Sequence, residues 1–129
     1  MQRFEILITV TKDDLDELNH VNNIRYVSWV NDIAQLHWEN NSTKTIRNNY
    51  YWVLLNHFIE YKRPAFLNDT VKLKTYVTKS EGVTSSRIVE IYNNHTLKLL
   101  AKSETKWCLM SVDTNRPTRI TEEIINLFN

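Results

Sequence analysis

The residues best suited to chemistry lie close together near the start of the sequence. Four carboxylates and one imidazole follow each other in a short polar segment: Asp13, Asp14, Asp16, Glu17 and His20. A carboxylate beside a substrate can attack a carbonyl carbon or take a proton from water, and an imidazole can orient either partner. An acid just before a helix can equally well cap that helix. The residue types alone therefore favour capping, and a reactive role needs further evidence.

The segment that follows these acids predicts a long helix. From Ile24 to about Asn40, polar residues recur at helical spacing in one narrow stripe, and mostly apolar residues surround them. Asn22 or Asn23 is suited to the N-cap position. Because apolar residues occupy several faces, we expect an enclosed, central helix. Its first N–H groups, which have no partner inside the helix, would lie beside the acidic segment.

Alternating apolar residues predict a sheet around this helix. The first strand runs from Phe4 to Val10, Pro64 marks the end of the second, and Gly82 turns one strand into the next. The predicted later strands are Tyr51 to Phe66, Val71 to Val77, Val83 to Tyr92 and Leu97 to Val112. A polar turn over Asn40 to Asn49 and a short final helix capped by Thr121 complete the order. The fold class is therefore α+β, with about five antiparallel strands in hairpin succession curled around a central helix.

Bulk composition limits the function. The 129 residues fit one domain, with 42% hydrophobic and 24% charged residues and a net charge of +1. That balance provides no basic stripe for nucleic acid, and no apolar run is long enough to cross a membrane. The first ten residues lack the basic and apolar regions of a secretion signal, so a cytoplasmic protein is expected. Only Gly82 is a glycine, which excludes the Gly-rich loops that bind phosphates.

Cofactor and metal chemistry are not expected. Four histidines and one cysteine show no spacing typical of zinc ligands: His20, His37, His57, His95 and Cys108. Cys108 lies in an apolar strand and is interpreted as a small buried residue rather than a nucleophile. The sequence also lacks the G-x-S-x-G motif of α/β-hydrolases. Any reaction would therefore depend on ordinary side chains and backbone amides.

One segment resembles a known family. Asp14 to Trp29, DLDELNHVNNIRYVSW, is similar to the signature of the hotdog-fold thioesterases related to 4-hydroxybenzoyl-CoA thioesterase, in which Asp-x-Asp precedes Gly-His-x-Asn-Asn and a Tyr. Tyr61 to Ala65 with Asp69 resembles the second strand of that family, and Ala101 to Pro117 resembles its last strand. The resemblance covers nearly the whole chain. It implies a single hotdog domain over residues 1–129 that hydrolyses an acyl-CoA thioester to a free acid and a thiol.

The resemblance also implies roles for individual residues. Asp16 takes the position of the catalytic carboxylate, as nucleophile or general base, and the Asn23 amide polarises the thioester carbonyl. His20 and Asn22 either orient water or substrate or hold the loop. The expected substrate-binding residues are Asn22, Tyr26, Trp29 and Arg63, although Tyr26 and Trp29 fit the core equally well. Arg63, Lys79 and Arg87 could meet the phosphates of coenzyme A, but basic residues on strands are usually solvated.

The family forms its sites between subunits, so a homodimer or homotetramer is implied. Two departures from the pattern concern the backbone of the loop and the carrier. Asn19 stands where many relatives have Gly, and Leu18 and Pro64 lie near positions that are polar in plant acyl-ACP thioesterases. Coenzyme A is therefore favoured over acyl carrier protein as the carrier of the acyl group. The expected role is in fatty acid metabolism. There are two further alternatives. One is an enoyl-thioester hydratase that uses Asp16 and His20, and the other is a non-catalytic acyl-thioester binding module.

Overall fold

The computed structural model describes residues 2–129, which form a curved antiparallel sheet and a long helix. The helices are α1 (Asn23–Asn41), α2 (Lys44–Asn49) and α3 (Glu122–Asn126). The strands are β1 (Phe4–Thr9), β2 (Tyr50–Tyr61), β3 (Thr70–Glu81), β4 (Thr84–Asn93) and β5 (Leu99–Ser111). This architecture confirms the predicted α+β class and the long helix.

The order of strands differs from the predicted hairpin succession. Within residues 2–129 the order is β1-β3-β4-β5-β2, and every neighbouring pair is antiparallel. Only β3, β4 and β5 follow one another as hairpins. β2 instead pairs with β5 at the far edge, with a register shift between Leu54 and Asn56. Periodicity along a strand reports which face is buried but not which strand lies beside it, so the prediction was wrong here.

Three local predictions also need correction. The predicted polar turn after α1 contains a second helix, α2, whose N-cap Thr43 accepts a hydrogen bond from the Ile46 N–H at 3.1 Å. β2 ends at Tyr61, earlier than the predicted Phe66, and the chain bends at Arg63. Leu97, the predicted first residue of the last strand, instead lies exposed at the end of the turn before β5, with a φ of 63°. A chain reversal at this residue overrides its apolar character.

The core has two parts that meet along α1. The first packs the front of the helix, including Val30 and Ile33, on the concave face of β3 and β4. The second surrounds Trp38 near the end of the helix and includes Leu109 and Phe128. The two ends of α1 therefore lie in different surroundings.

No helix in residues 2–129 is long and apolar enough to cross a membrane.

Candidate active site

Asp16 organises a tight loop before α1. Its Oδ1 accepts hydrogen bonds from the N–H groups of Leu18 at 2.9 Å and His20 at 3.2 Å. The Asp16 N–H donates to the His20 carbonyl at 2.8 Å, which closes the loop. Oδ2 makes no hydrogen bond to any residue from 2 to 129. One carboxylate oxygen thus fixes the loop while the other is available.

Asn19 allows this loop to turn. Its φ is 62°, in the left-handed region that glycine occupies most easily and that asparagine tolerates better than most residues. The N–H of Asn19 donates to the Asp16 carbonyl at 3.0 Å. Asparagine thus adopts the conformation expected of the glycine found at this place in the resembled family.

Asp14 has a structural role. The carboxylate is buried, and its Oδ2 accepts from the Thr11 N–H at 2.8 Å while its Oδ1 pairs with Arg25 Nε at 3.0 Å. The Asp14 carbonyl also accepts the Asn22 N–H at 2.8 Å. Both carboxylate oxygens are engaged, so Asp14 fixes the acidic segment against the first turn of α1. Asp13 is exposed in the same segment.

The start of α1 presents an unused donor. Asn22 is the N-cap, as predicted, and its Oδ1 accepts the Ile24 N–H at 3.0 Å. The Asn22 carbonyl accepts the Arg25 N–H at 2.8 Å. The Asn23 N–H has no acceptor in the described part of the chain. This exposed donor at the positive end of a 19-residue helix suits a developing negative charge.

The turn after β2 lies against this loop. The Val21 N–H donates to the Ala65 carbonyl at 2.9 Å, and the His20 ring meets Phe66 edge-on at 5.2 Å between centroids. His20 therefore offers its backbone, not its ring, to the Asp16 carboxylate. Arg63 lies in the same turn, is exposed and donates from Nη1 to the Leu99 carbonyl at 3.3 Å.

Tyr26 and Trp29 lie in the core behind this surface. Both are almost fully buried, and their rings meet edge-on at 5.4 Å. Burial raises the pKa of Tyr26, against a smaller opposing effect from the Ala65 backbone. Its hydroxyl has no hydrogen-bond partner within residues 2–129. Tyr61, at the end of β2, packs on Tyr26 at 5.5 Å and donates from its hydroxyl to the Asn23 carbonyl at 3.2 Å.

A second polar group lies at the other end of α1 and was missed by sequence reasoning. Arg87, expected to be solvated, is only 6% exposed, so that interpretation was wrong. Its Nη1 donates to His37 Nδ1 at 2.8 Å and to Thr75 Oγ1 at 2.9 Å. These residues come from three separate elements, and no local pattern in the sequence connects them. Lys79, by contrast, is exposed as expected.

Metal ligands do not gather in the described region. In residues 2–129, no group of three or more His, Cys, Asp or Glu side chains is arranged to hold a metal ion. Cys108 is buried in β5, as predicted.

Comparisons with known proteins agree with the fold and the motif. Residues 2–128 match the sequence model of the acyl-ACP thioesterase N-terminal domain. No curated protein sequence shows a significant match. Among solved structures, the chain is similar to a 1,4-dihydroxy-2-naphthoyl-CoA thioesterase, Slr0204, from Synechocystis, with 15% identity and a TM-score of 0.85, covering 98% of this chain and 95% of that one.

Two further structures are equally similar in fold. YbaW, a probable thioesterase from Escherichia coli, is 22% identical with a TM-score of 0.86, over 95% of this chain and 94% of that one. SAV2348 from Staphylococcus aureus, solved in complex with CoA, is 18% identical with a TM-score of 0.87, over 98% of this chain and 81% of that one. The predicted hotdog fold is thereby confirmed. The chain belongs to the acyl-ACP thioesterase family and is a hotdog-fold thioesterase.

Proposed function

We propose that this thioesterase hydrolyses an acyl-CoA, with Asp16 as the reacting carboxylate and the Asn23 N–H polarising the thioester carbonyl. The observation that carries the proposal is that one short segment holds both an unengaged carboxylate oxygen and an unengaged helix N-terminal amide. Asp16 Oδ2 and the Asn23 N–H have no partner in residues 2–129, and both belong to the segment that precedes and begins α1.

The hydrogen bonds of the loop give the Asp16 carboxylate both a structural and a reactive oxygen. Two N–H groups hold Oδ1 of Asp16 and fix the orientation of the carboxylate, which leaves Oδ2 to attack the carbonyl carbon or to deprotonate a water. Attack forms a bond from Oδ2 to the carbonyl carbon, and the thiolate leaves when the carbon–sulfur bond breaks. Water then hydrolyses the anhydride and regenerates the carboxylate.

The Asn23 amide would act on the other atom of the carbonyl. Negative charge develops on the carbonyl oxygen as the carbon becomes tetrahedral, and a fixed N–H donor stabilises that charge more than the neutral ground state. The helix dipole acts in the same direction. Tyr61 holds the Asn23 carbonyl and so helps to fix the first peptide of the helix.

The test is thiol release from short, long and aromatic acyl-CoAs by the native chain and by Asp16→Asn. Asparagine keeps an oxygen that can accept the two loop N–H groups but removes the carboxylate, so kcat/KM should fall by about 100-fold to 10,000-fold. Asp13→Asn, at an exposed neighbouring acid, is the matched control and should retain activity. Full activity in a folded Asp16→Asn variant would overturn the role of Asp16.

Labelled water separates the two roles of Asp16. In a single turnover, label entering the Asp16 side chain indicates an anhydride, whereas label found only in the product acid indicates direct attack by water. The hydratase alternative would instead need an acid–base pair of Asp16 with the His20 ring. The His20 ring packs on Phe66, which favours hydrolysis.

Coenzyme A is the proposed carrier, with Arg63 near its phosphates. Arg63 is exposed in the turn that contacts the Asp16 loop, where a cation can meet an incoming anion. Arg63→Gln should raise KM for an acyl-CoA several-fold while leaving KM for the matching N-acetylcysteamine thioester, which lacks phosphates, unchanged. Lys102→Gln, at an exposed site on β5, is the control.

Acyl carrier protein is the second candidate carrier, favoured by the family match. The same acyl group presented on coenzyme A and on acyl carrier protein should be cleaved with the higher kcat/KM from coenzyme A. The reverse order would transfer the proposal to the carrier protein.

We propose a homodimer formed along β2. In residues 2–129 this strand pairs with β5 on one side only, and it exposes the apolar residues Val53, Leu54, Leu55 and Phe58. An unpaired, apolar edge strand is suited to pairing with a second copy. Because Tyr61 of β2 contacts Asn23, such a partner would approach the start of α1.

Sedimentation tests the β2 pairing. The native chain should sediment as a dimer, and Leu55→Glu should convert it to a monomer by placing a charge at the edge. Leu7→Glu, on the opposite edge strand β1 and similarly exposed, should remain dimeric. Equal behaviour of the two variants would contradict an interface on β2.

A further inference from the structure

A cavity of about 290 Å³ lies beside the second half of α1. Its walls include Trp38 from the helix, Trp52 from β2 and Trp107 from β5. Ala34, in the middle of the lining helix, is about 16 Å along the axis from Asn23. Within one protomer the cavity is therefore separate from the Asp16 loop.

Arg87 is the buried cation in the lining of this cavity. Its side chain lines the cavity although the residue is only 6% exposed. Nη1 is held by His37 and Thr75, and the guanidinium lies over the Phe128 ring at 5.3 Å. Nε and Nη2 make no hydrogen bond within residues 2–129, and neither is among the fully enclosed polar atoms that lack a partner there. These two donors form one edge of the guanidinium fork and open to the cavity.

No carboxylate in the described residues neutralises Arg87. The ion pairs of residues 2–129 lie elsewhere, and the guanidinium contacts described above are made by His37, Thr75 and Phe128, none of which carries a negative charge. Because arginine only donates, His37 Nδ1 accepts, and His37 Nε2 carries the proton and donates to Gln2 Oε1 at 2.8 Å. Burial and the nearby Arg87 charge lower the pKa of His37 to about 4. His37 therefore positions the guanidinium without balancing its charge.

A buried cation is costly unless an anion and hydrogen bonds compensate it. The free edge of a guanidinium matches the two oxygens of a carboxylate, and the surrounding indole rings suit an apolar body. We propose that this cavity binds an organic monocarboxylate with an aromatic or short aliphatic body. The carboxylate lies on Nε and Nη2 of Arg87, and the apolar body lies among Trp38, Trp52 and Trp107. Free acids of this class are what thioester hydrolysis releases, but the binding step does not depend on the roles proposed for Asp16 and Asn23.

Arg47 is the other cation in the lining. Its Nη1 donates to the Glu39 and Ser42 carbonyls, so this side chain caps the end of α1. The assignment of the carboxylate to Arg87 rather than Arg47 can therefore be tested by one substitution at each position.

The experiment is calorimetric titration of the native chain with 4-phenylbutyrate and with the uncharged 4-phenylbutyramide. Tryptophan emission, recorded in parallel, reports occupancy of the cavity. We expect the carboxylate to bind at least about tenfold more tightly than the amide, because a charged hydrogen-bonded pair replaces a neutral one. Equal affinity of the two compounds in the native chain would overturn the proposal, without recourse to any variant. If an equal concentration of chloride displaced 4-phenylbutyrate, the site would bind any small anion, and the proposal of an organic ligand would be overturned.

Variants locate the carboxylate. Arg87→Met, which keeps an apolar stem and removes the fork, should abolish the preference for the carboxylate over the amide. Arg47→Met should keep that preference. The opposite pattern in folded variants would overturn the assignment to Arg87. The readout of this experiment is binding. Its result therefore does not depend on whether Asp16→Asn loses or keeps thiol release.

Discussion

The polar groups at the two ends of α1 are held by different kinds of contact. At the start of the helix, Asp16 and Asn22 satisfy backbone N–H groups within a few residues, and the site they shape is largely exposed. Toward the other end, His37 and Arg87 are buried and depend on partners from distant strands. The first end is built from local contacts and leaves two polar groups for a substrate. The second is built from tertiary contacts, and its polar groups are costly if a partner is removed.

Removing Trp38 should produce the largest loss of stability. Trp38 packs edge-on against Trp52 at 5.7 Å within the second core cluster, so Trp38→Ala should lower the free energy of unfolding by about 3–5 kcal/mol. Urea unfolding measures the loss. Leu36→Ala, exposed on the same helix, is the control and should change it by less than about 0.5 kcal/mol. Equal losses would mean that the second cluster is not a packed core.

Acidification should lower the free energy of unfolding through the buried histidine in the second half of α1. His37 has a folded pKa of about 4, below its unfolded value of 6.5, so the unfolded chain takes up the proton first as pH falls. The associated stability is fully present above pH 6.5 and is lost progressively between 6.5 and about 4, with a total on the order of 3 kcal/mol. Burial also lowers the pKa of His57, which adds to the same trend.

Urea unfolding at several pH values between 7 and 4 checks this expectation. His37→Gln should flatten the dependence without abolishing it, because His57 remains. His95→Gln, at an exposed turn, is the matched control and should keep the native slope. If His37→Gln retained the native slope, His37 would not be the group that titrates.

Asp16 offers a way to separate structure from chemistry at the exposed end. Asp16→Ala removes the acceptor for two N–H groups and should lower the free energy of unfolding by about 1–2 kcal/mol, whereas Asp16→Asn should change it little. Both variants should lose thiol release to the same extent. Thermal unfolding and activity, measured on the same samples, test this separation. A stable Asp16→Ala variant would mean that the loop does not depend on Oδ1.

Asn19 should give the smallest effect. Its φ of 62° is strained for most residues, so Asn19→Ala should lower the free energy of unfolding by about 1 kcal/mol, while Asn19→Gly should be nearly neutral. Urea unfolding of the pair provides the comparison. A larger loss with glycine than with alanine would contradict the conformational explanation.

Sequence and structure agree best where interactions are local. The N-cap at Asn22, the long helix and the alternating faces of β3, β4 and β5 follow from spacing along the chain. The motif around Asp16 also lies in one short segment, so a resemblance to a family could be recognised from it. The roles of Asp16, His20 and Asn23 in chemistry, and of Asn22, Tyr26, Trp29 and Arg63 in binding, stay predictions.

The sequence by itself determined the α+β class and the placement of an acidic loop directly before a helix N-terminus. Both depend on contacts between residues close in the chain. Only the tertiary structure decided that β2 pairs with β5, and that Arg87 and His37 meet inside the fold. Neither could be predicted, because strand neighbours and buried polar partners are chosen by the packing of segments that are far apart in sequence. An arginine on a strand has the same local pattern whether it faces water or a cavity, and the sheet's curvature around α1 makes that choice.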